Sequence, residues 1–318
     1  MASFLAIFGA TFPFFAVVAL GAVGAWRGLL GQAAAQGVTV FVFYFALPCL
    51  IFRAFALRDL GEVLRWDYLI AYGAATLAVY LAALAAGRFL FRLNLGETAL
   101  HGQAAAVSNA GFLGIPLIAG IMGPAATAPV VIAILWDLVV TITCSLVLLE
   151  LHRARQGEGG SLARAVAQAA RGVLGNPFIL SIAAGIAWSA TGWSLPAPAG
   201  RLTGLLADAA GPAALFALGA SLVGRPLSEG LGEVASMSLF KLLLHPLAVA
   251  LVCFQLYPID PFWAAAGVLT AALPVAANVF VIGGRYGLYV ARGSTAILIS
   301  TAVAVFSVPA AIALLGLG

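Results

Sequence analysis

The sequence predicts an all-α integral membrane protein with ten transmembrane helices, arranged as two inverted five-helix repeats in which spans four and nine are broken. Three observations predict it. The chain is 64% hydrophobic and 8% charged, with a mean hydropathy of +1.12; ordinary soluble domains carry about 25% charged residues, so this chain cannot cover a water-facing surface. Apolar runs of about 20 residues, long enough for a bilayer core of about 30 Å, recur from end to end. Two of those runs are interrupted by Asn, Gly and Pro at corresponding places in the two halves. The short alternating segments of a barrel are missing, which leaves a helical bundle.

The runs fall at 4–25, 34–53, 67–88, 98–121 and 128–150, then at 174–192, 203–223, 234–256, 261–283 and 294–315. The first begins apolar at Phe4 without a basic leader, so no cleaved signal is expected. The second and seventh carry Pro48 and Pro212, expected as kinks. Between the fifth and sixth lies the one long polar interruption, "HRARQGEGGSLARAVAQAAR" at 152–171. It divides the chain into a first repeat over 1–151, a linker over 152–172 and a second repeat over 173–318.

Loop charge sets the orientation. With the N-terminus outside, Arg27, Arg88, Arg92, Arg153, Arg155, Arg164, Arg171, Arg225, Arg285 and Arg292 are cytoplasmic, and only Arg53, Arg58, Arg65 and Arg201 lie opposite. Cytoplasmic loops carry the excess of Lys and Arg. Both termini are therefore expected on the non-cytoplasmic side of the inner (plasma) membrane, with the linker in the cytoplasm. An odd number of spans per half forces homologous halves into opposite topologies. "LPCLIF" at 47–52 resembles "GPAALF" at 211–216, an offset that also carries "SNAGFLGIPL" at 108–117 onto "LPVAANVFVIGG" at 273–284. Paired interruptions of this kind point to a substrate site near the bilayer midplane.

The chemistry expected there follows from the backbone. Pro116 and Pro274 lack an amide hydrogen and free the carbonyls of Phe112 and Thr270, while Gly111 and Gly114 add backbone freedom. Freed polar groups at membrane depth must be buried in protein or line a wet cavity. A half-helix beginning at a break points unpaired amides and its positive dipole end into that cavity, which suits a carboxylate. Asn109 and Asn278 add neutral donors and acceptors.

Asp137, in "ILWDLVV", lies about 14 Å into span five and is a candidate for carrying a proton, holding a cation or pairing with a base. Lys241 and His245 share one face of span eight. Lys241 is expected to snorkel to the cytoplasmic interface or to form a structural pair, with a contribution to an anion pathway as the alternative; His245 is expected to bond a neighbouring carbonyl or, less simply, to relay protons. Asp208, near the end of span seven, reads as a solvated helix end. Cys49, Cys144 and Cys253 sit in apolar runs with no metal or pairing spacing.

At these residues the sequence resembles the auxin efflux carrier family in its compact bacterial form. The resemblance rests on "SNAGFLGIP" in span four, "NPFILSIAAGI" at 176–186, "GPAALFALGASL" at 211–222, "KLLLHP" at 241–246 and "LPVAAN" in span nine, and it covers essentially the whole chain. It implies that spans four and nine unwind and cross, in a domain that moves elevator-fashion against a scaffold of spans one, two, six and seven. It implies transport of small organic anions, indole-3-acetate in plants and malate- or malonate-type carboxylates in bacteria. Asn109, Pro116 and Pro274 map onto the crossing by motif, Gly111 lies within the same motif, and Asn278 maps by its position in span nine. A homodimer through the scaffold is implied as a partner relation beside the lipid bilayer. No cofactor is implied beyond a coupling ion, H⁺ or Na⁺, whose identity the resemblance leaves open.

Three other functions compete with this reading. A sodium/proton antiporter shares the broken-helix architecture but favours acidic pairs at the crossing, and spans four and nine hold no acid beyond Glu97 at the cytoplasmic edge. An intramembrane enzyme needs an activated Ser–His pair, facing aspartates or a His cluster; three histidines and one mid-membrane aspartate do not supply one. A ligand sensor would need an output domain, and none is fused here.

Overall fold

The fold is described from a computed structural model covering residues 4–59, 61, 65–157, 161–225 and 230–317. Among these residues seven helices are long and apolar enough to cross a membrane. They are α1 (Phe4–Trp26), α2 (Gln32–Ala56), α3 (Trp66–Leu90), α6 (Pro124–Arg155), α9 (Ala197–Leu222), α10 (Leu231–Leu256) and α13 (Val290–Leu314). They fall on the expected spans one, two, three, five, seven, eight and ten. Over the other three expected stretches the helices are shorter. Span four is α4 (Leu95–Ala106) followed by α5 (Ala110–Met122). Span six is α8 (Pro177–Ala190), and span nine is α11 (Pro261–Ala271) followed by α12 (Asn278–Tyr286).

Local chemistry fixes several of these ends. Asn94 and Glu97 form a capping box at the start of α4. Asn176 caps α8 through the amide of Phe178, and Asp260 caps α11 through Phe262 and Trp263, each with proline at the first helical position. Prolines inside the apolar runs behave differently from expectation. The π-helical turns Val42–Ala46, Ala110–Gly114 and Phe240–Leu244 each end two residues before a proline: Pro48, Pro116 and Pro246. A wider turn absorbs the missing amide donor and the ring, so the helix swells one turn early and continues.

The part of the 152–172 linker that is described is not irregular. It contains α7 (Leu162–Leu174), capped by Ser161 and packed on α6, while 158–160 lie outside the described residues. Its five alanines, two Leu and two Val among only two Arg and one Gln make a helix; counted by charge alone, the stretch reads as a loop.

The helices pack in two groups. α1 lies along α9, and α2 contacts both α8 and α9. A Cβ on Gly219 would meet the Val18 carbonyl and one on Gly21 the Phe216 carbonyl, so the α1 and α9 backbones touch directly. In the second group α4 packs on α3 and α6, α10 on α3 and α11, and α13 on α10 and α12. Contacts of α5 with α9 and of α1 with α13 join the groups.

Candidate functional site

The two broken spans meet at their breaks. Val107–Asn109 leaves the helix, with Val107 extended, and Ser108 pairs with Val275 in an isolated antiparallel bridge. The Asn109 amide donates to the Pro274 carbonyl at 2.9 Å, and the Ala276 amide to the Val107 carbonyl at 3.2 Å. Ser300 on α13 accepts the Val275 amide at 3.1 Å. Extended chain is costly inside a membrane unless its polar groups are paired. Here each break supplies the other's partners. Gly114 makes the approach tight, since a Cβ there would lie 2.6 Å from Leu273 Cδ1.

A cavity of about 510 Å³ opens beside this pairing, within the range of small-molecule sites. Ser108, Asn109, Gly111, Ala277 and Asn278 form one wall, and Asp137, Leu138 and Ile142 of α6 another. Phe43 of α2 and Phe178 of α8, with rings 4.9 Å apart, close it from the other helical group. Gly111 permits that closure, for a Cβ there would lie 3.2 Å from the Phe178 ring. Asn176 and the α7 residues Ala169, Gly172 and Val173 line it as well.

Polar groups facing this space are neutral apart from one carboxylate. Asn109 is 5% exposed, and its Nδ2 has no protein partner. The Gln103 amide Nε2 donates to Asn278 Oδ1 at 3.4 Å, which turns the Asn278 amide nitrogen away from Gln103. Gly111 and Phe112 occupy the first turn of α5, where amides have no place in the helical ladder. Asp137, 3% exposed, faces the Ser108 amide, the Thr141 hydroxyl and the Lys241 ammonium, and its Oδ1 is unpartnered.

Behind the breaks lies a buried polar chain. Lys241 Nζ donates to the Ala271 carbonyl at 2.6 Å and sits 2.9 Å from His245 Nδ1; His245 Nε2 sits 3.0 Å from the Thr76 hydroxyl. Lys241 is fully buried, which corrects the expectation that it snorkels; the structural pair with His245 is what forms. The cation stands at the last turn of α11, where carbonyls leave partial negative charge, and Asp137 stands at the amide of Ser108, before α5. Each charge thus complements the backbone at one break.

Of the residues singled out in the sequence, Asn109, Gly111, Asn278 and Asp137 come together on the cavity wall, while Pro116, Pro274, Lys241 and His245 are not among its lining residues. Pro274 acts through its carbonyl. Pro116 lies beyond the break, past the π turn, and its Cβ is 3.6 Å from where a Cβ on Gly211 of α9 would be. Of the Asn, Gly and Pro expected to interrupt span four, Asn109 lies in the break at Val107–Asn109 and Pro116 lies beyond it. Gln103, Ser108, Asn176 and Ser300 were not anticipated. Asn176 opens the motif "NPFILSIAAGI", but an Asn-Pro pair is an ordinary helix start and does not by itself point to a cavity.

A model of the family described as "Membrane transport protein" matches residues 6–312. The chain belongs to this family. It is the auxin efflux carrier family that the span-four motif resembles. A member from Rhizobium meliloti (strain 1021), named "Putative malonate transporter", is 34% identical over 303 residues, covering 95% of this chain and 93% of that protein. An "Uncharacterized transporter" from Methanothermobacter thermautotrophicus is 30% identical over 299 residues, covering 92% and 93%. The "Uncharacterized transporter YfdV" of Escherichia coli (strain K12) is 25% identical over 297 residues, covering 92% of each. As a family member with seven or more apolar helices, the chain is a multi-pass membrane transporter, and the names in this family describe transport, not catalysis.

Proposed function

We propose that the protein is a secondary carrier of small organic anions, carboxylates of malate, malonate or auxin type, in the inner membrane. In this reading ten spans form two inverted halves over 1–151 and 173–318, both termini face outward, and the anion sits where spans four and nine cross. The observation that carries it is the Asn109 amide, buried, unpartnered and on the wall of a largely apolar cavity beside first-turn backbone amides. Neutral donors of this kind orient a carboxylate without trapping it. Asp137 on the same wall disfavours a multiply charged guest on Coulomb grounds, so a monoanion or singly protonated diacid is the preferred form. The name of the Rhizobium relative points the same way.

Movement would be elevator-type: the group holding both breaks shifts against α1, α2, α8 and α9. Phe43 and Phe178 belong to the stationary side, so relative movement would uncover the cavity on alternate faces. The Asp137 carboxylate, with one unpartnered oxygen, supports coupling to H⁺ or Na⁺. The same feature is what favours the second reading, a sodium/proton antiporter.

Charge movement in proteoliposomes on a solid-supported membrane separates the two. Malonate, malate, lactate and indole-3-acetate would each be applied with and without sodium and at two pH values, with labelled uptake to register electroneutral transport. A carboxylate-dependent signal is expected. Sodium or proton exchange with no response to any acid would replace the carrier reading with the antiporter.

A further inference from the structure

α7 and α8 meet at a bend of 53°. The surroundings of α7 divide it into three stripes. On the inner one Ala169 is buried and Val173 half-buried, both on the cavity wall. Gln168 belongs to the same side: its Oε1 lies 3.2 Å from the Tyr286 hydroxyl of α12, itself 2.9 Å from Glu150 Oε1 of α6. α7 is thereby fastened to two elements of the group that holds the breaks.

The second stripe is apolar and open. Val166, Ala170 and Leu174 follow one another at four-residue spacing, with Val166 55% and Leu174 71% exposed. The third stripe holds Arg164 and Arg171, seven residues apart on one face and both exposed, and α7 contains no acid. Its apolar stripe and its arginines lie about 110° apart around the helix at 3.6 residues per turn. A helix with that division rests in the membrane interface, apolar stripe in the acyl boundary and cations at the headgroups. α6 and α8, which flank it in sequence, are apolar helices that place it at the bilayer edge.

We propose that α7 is an anionic-lipid contact that forms one wall of the cavity mouth. Arg164 and Arg171 bind phosphates of an acidic leaflet while Val166 and Leu174 enter its acyl boundary. The lipid contact stands independently of the transported species. Its consequence, that acidic lipid steadies the mouth and thereby sets the rate of substrate access, rests on the carrier reading above.

Amide hydrogen exchange of 162–174 tests it, in nanodiscs of phosphatidylcholine alone and of equimolar phosphatidylcholine and phosphatidylglycerol. Exchange of α7 should slow severalfold in the acidic discs and recover toward the neutral-lipid rate as salt is raised. The R164Q/R171Q variant should lose that difference, and R164K/R171K should keep it. Unchanged exchange of α9 amides in each variant reports an intact fold. Equal α7 exchange in both lipids would overturn the proposal. So would protection that follows the number of chains per disc and not lipid charge, which would assign the stripe to a second copy. Should no carboxylate be moved in the transport assay, the carrier reading fails, and the exchange result still decides the lipid contact.

Discussion

Asn109 is the residue on which recognition turns. Its backbone amide is committed to Pro274 and its side-chain amide is not committed at all, so the two functions separate by mutation. Asn109→Ala keeps the bridge and removes one hydrogen bond to a charged guest, worth about 1.5–3 kcal/mol. An apparent affinity lower by about 10- to 100-fold is expected, read from the concentration dependence of the carboxylate-evoked current. Asp137 and Lys241 form a second unit. Lys241→Met removes the buried cation that acts on Asp137 through space and leaves the Ala271 carbonyl without its donor, so it should destabilise the fold by about 1–3 kcal/mol. Adding Asp137→Asn should restore part of that loss, measured as thermal unfolding in detergent; strictly additive effects would show that the two charges do not interact. Asp137→Asn alone should abolish uptake driven by a pH gradient and preserve substrate exchange, and an unchanged pH dependence would remove Asp137 from coupling.

At the scale of elements, the breaks hold because the amides of Asn109, Val275 and Ala276 each find a partner across the break or on α13. Ser300→Ala would orphan the Val275 amide, at a cost of about 1–3 kcal/mol, and should lower the unfolding temperature of the protein while Ser300→Thr, which retains the hydroxyl, lowers it less. The existence of both breaks was legible in the sequence, since Asn, Gly and Pro cluster within runs four and nine; the same three residue types open run six as Gly175-Asn176-Pro177, where they start a helix. Asn109 and Pro274 sit in the breaks themselves, whereas Pro48, Pro116 and Pro246 each follow a π turn that lets the helix continue, so proline alone does not locate a break. The break itself is set by Ser108 meeting Val275, a contact between segments far apart in sequence. Lys241 misled for a similar reason: its partner, the Ala271 carbonyl, belongs to another helix, and helical periodicity alone cannot show that a cation is capped from outside. α7 was hidden by the charges around it.

For the molecule as a whole, the question is whether the two helical groups move past one another. The cavity lies between them, with Phe43 and Phe178 on one side and both breaks on the other, so a relative displacement of the groups would open or close it. Pro116 and Gly211 offer a direct test, because they join α5 to α9 across this boundary. The 3.6 Å between Pro116 Cβ and a Cβ on Gly211 matches the separation of about 3.8 Å found in disulfides. The double variant Pro116→Cys/Gly211→Cys should oxidise readily in a background where the free thiols Cys49, Cys144 and Cys253 are replaced by alanine. Reduced protein should transport. Oxidised protein should bind substrate, as seen by ligand-dependent thermal stabilisation, yet move none, and reductant should restore the flux. Each single-cysteine variant under the same oxidant controls for damage elsewhere. Undiminished flux through a fully cross-linked protein would mean that α5 and α9 stay together throughout the cycle, and that access alternates by local motion around the cavity instead.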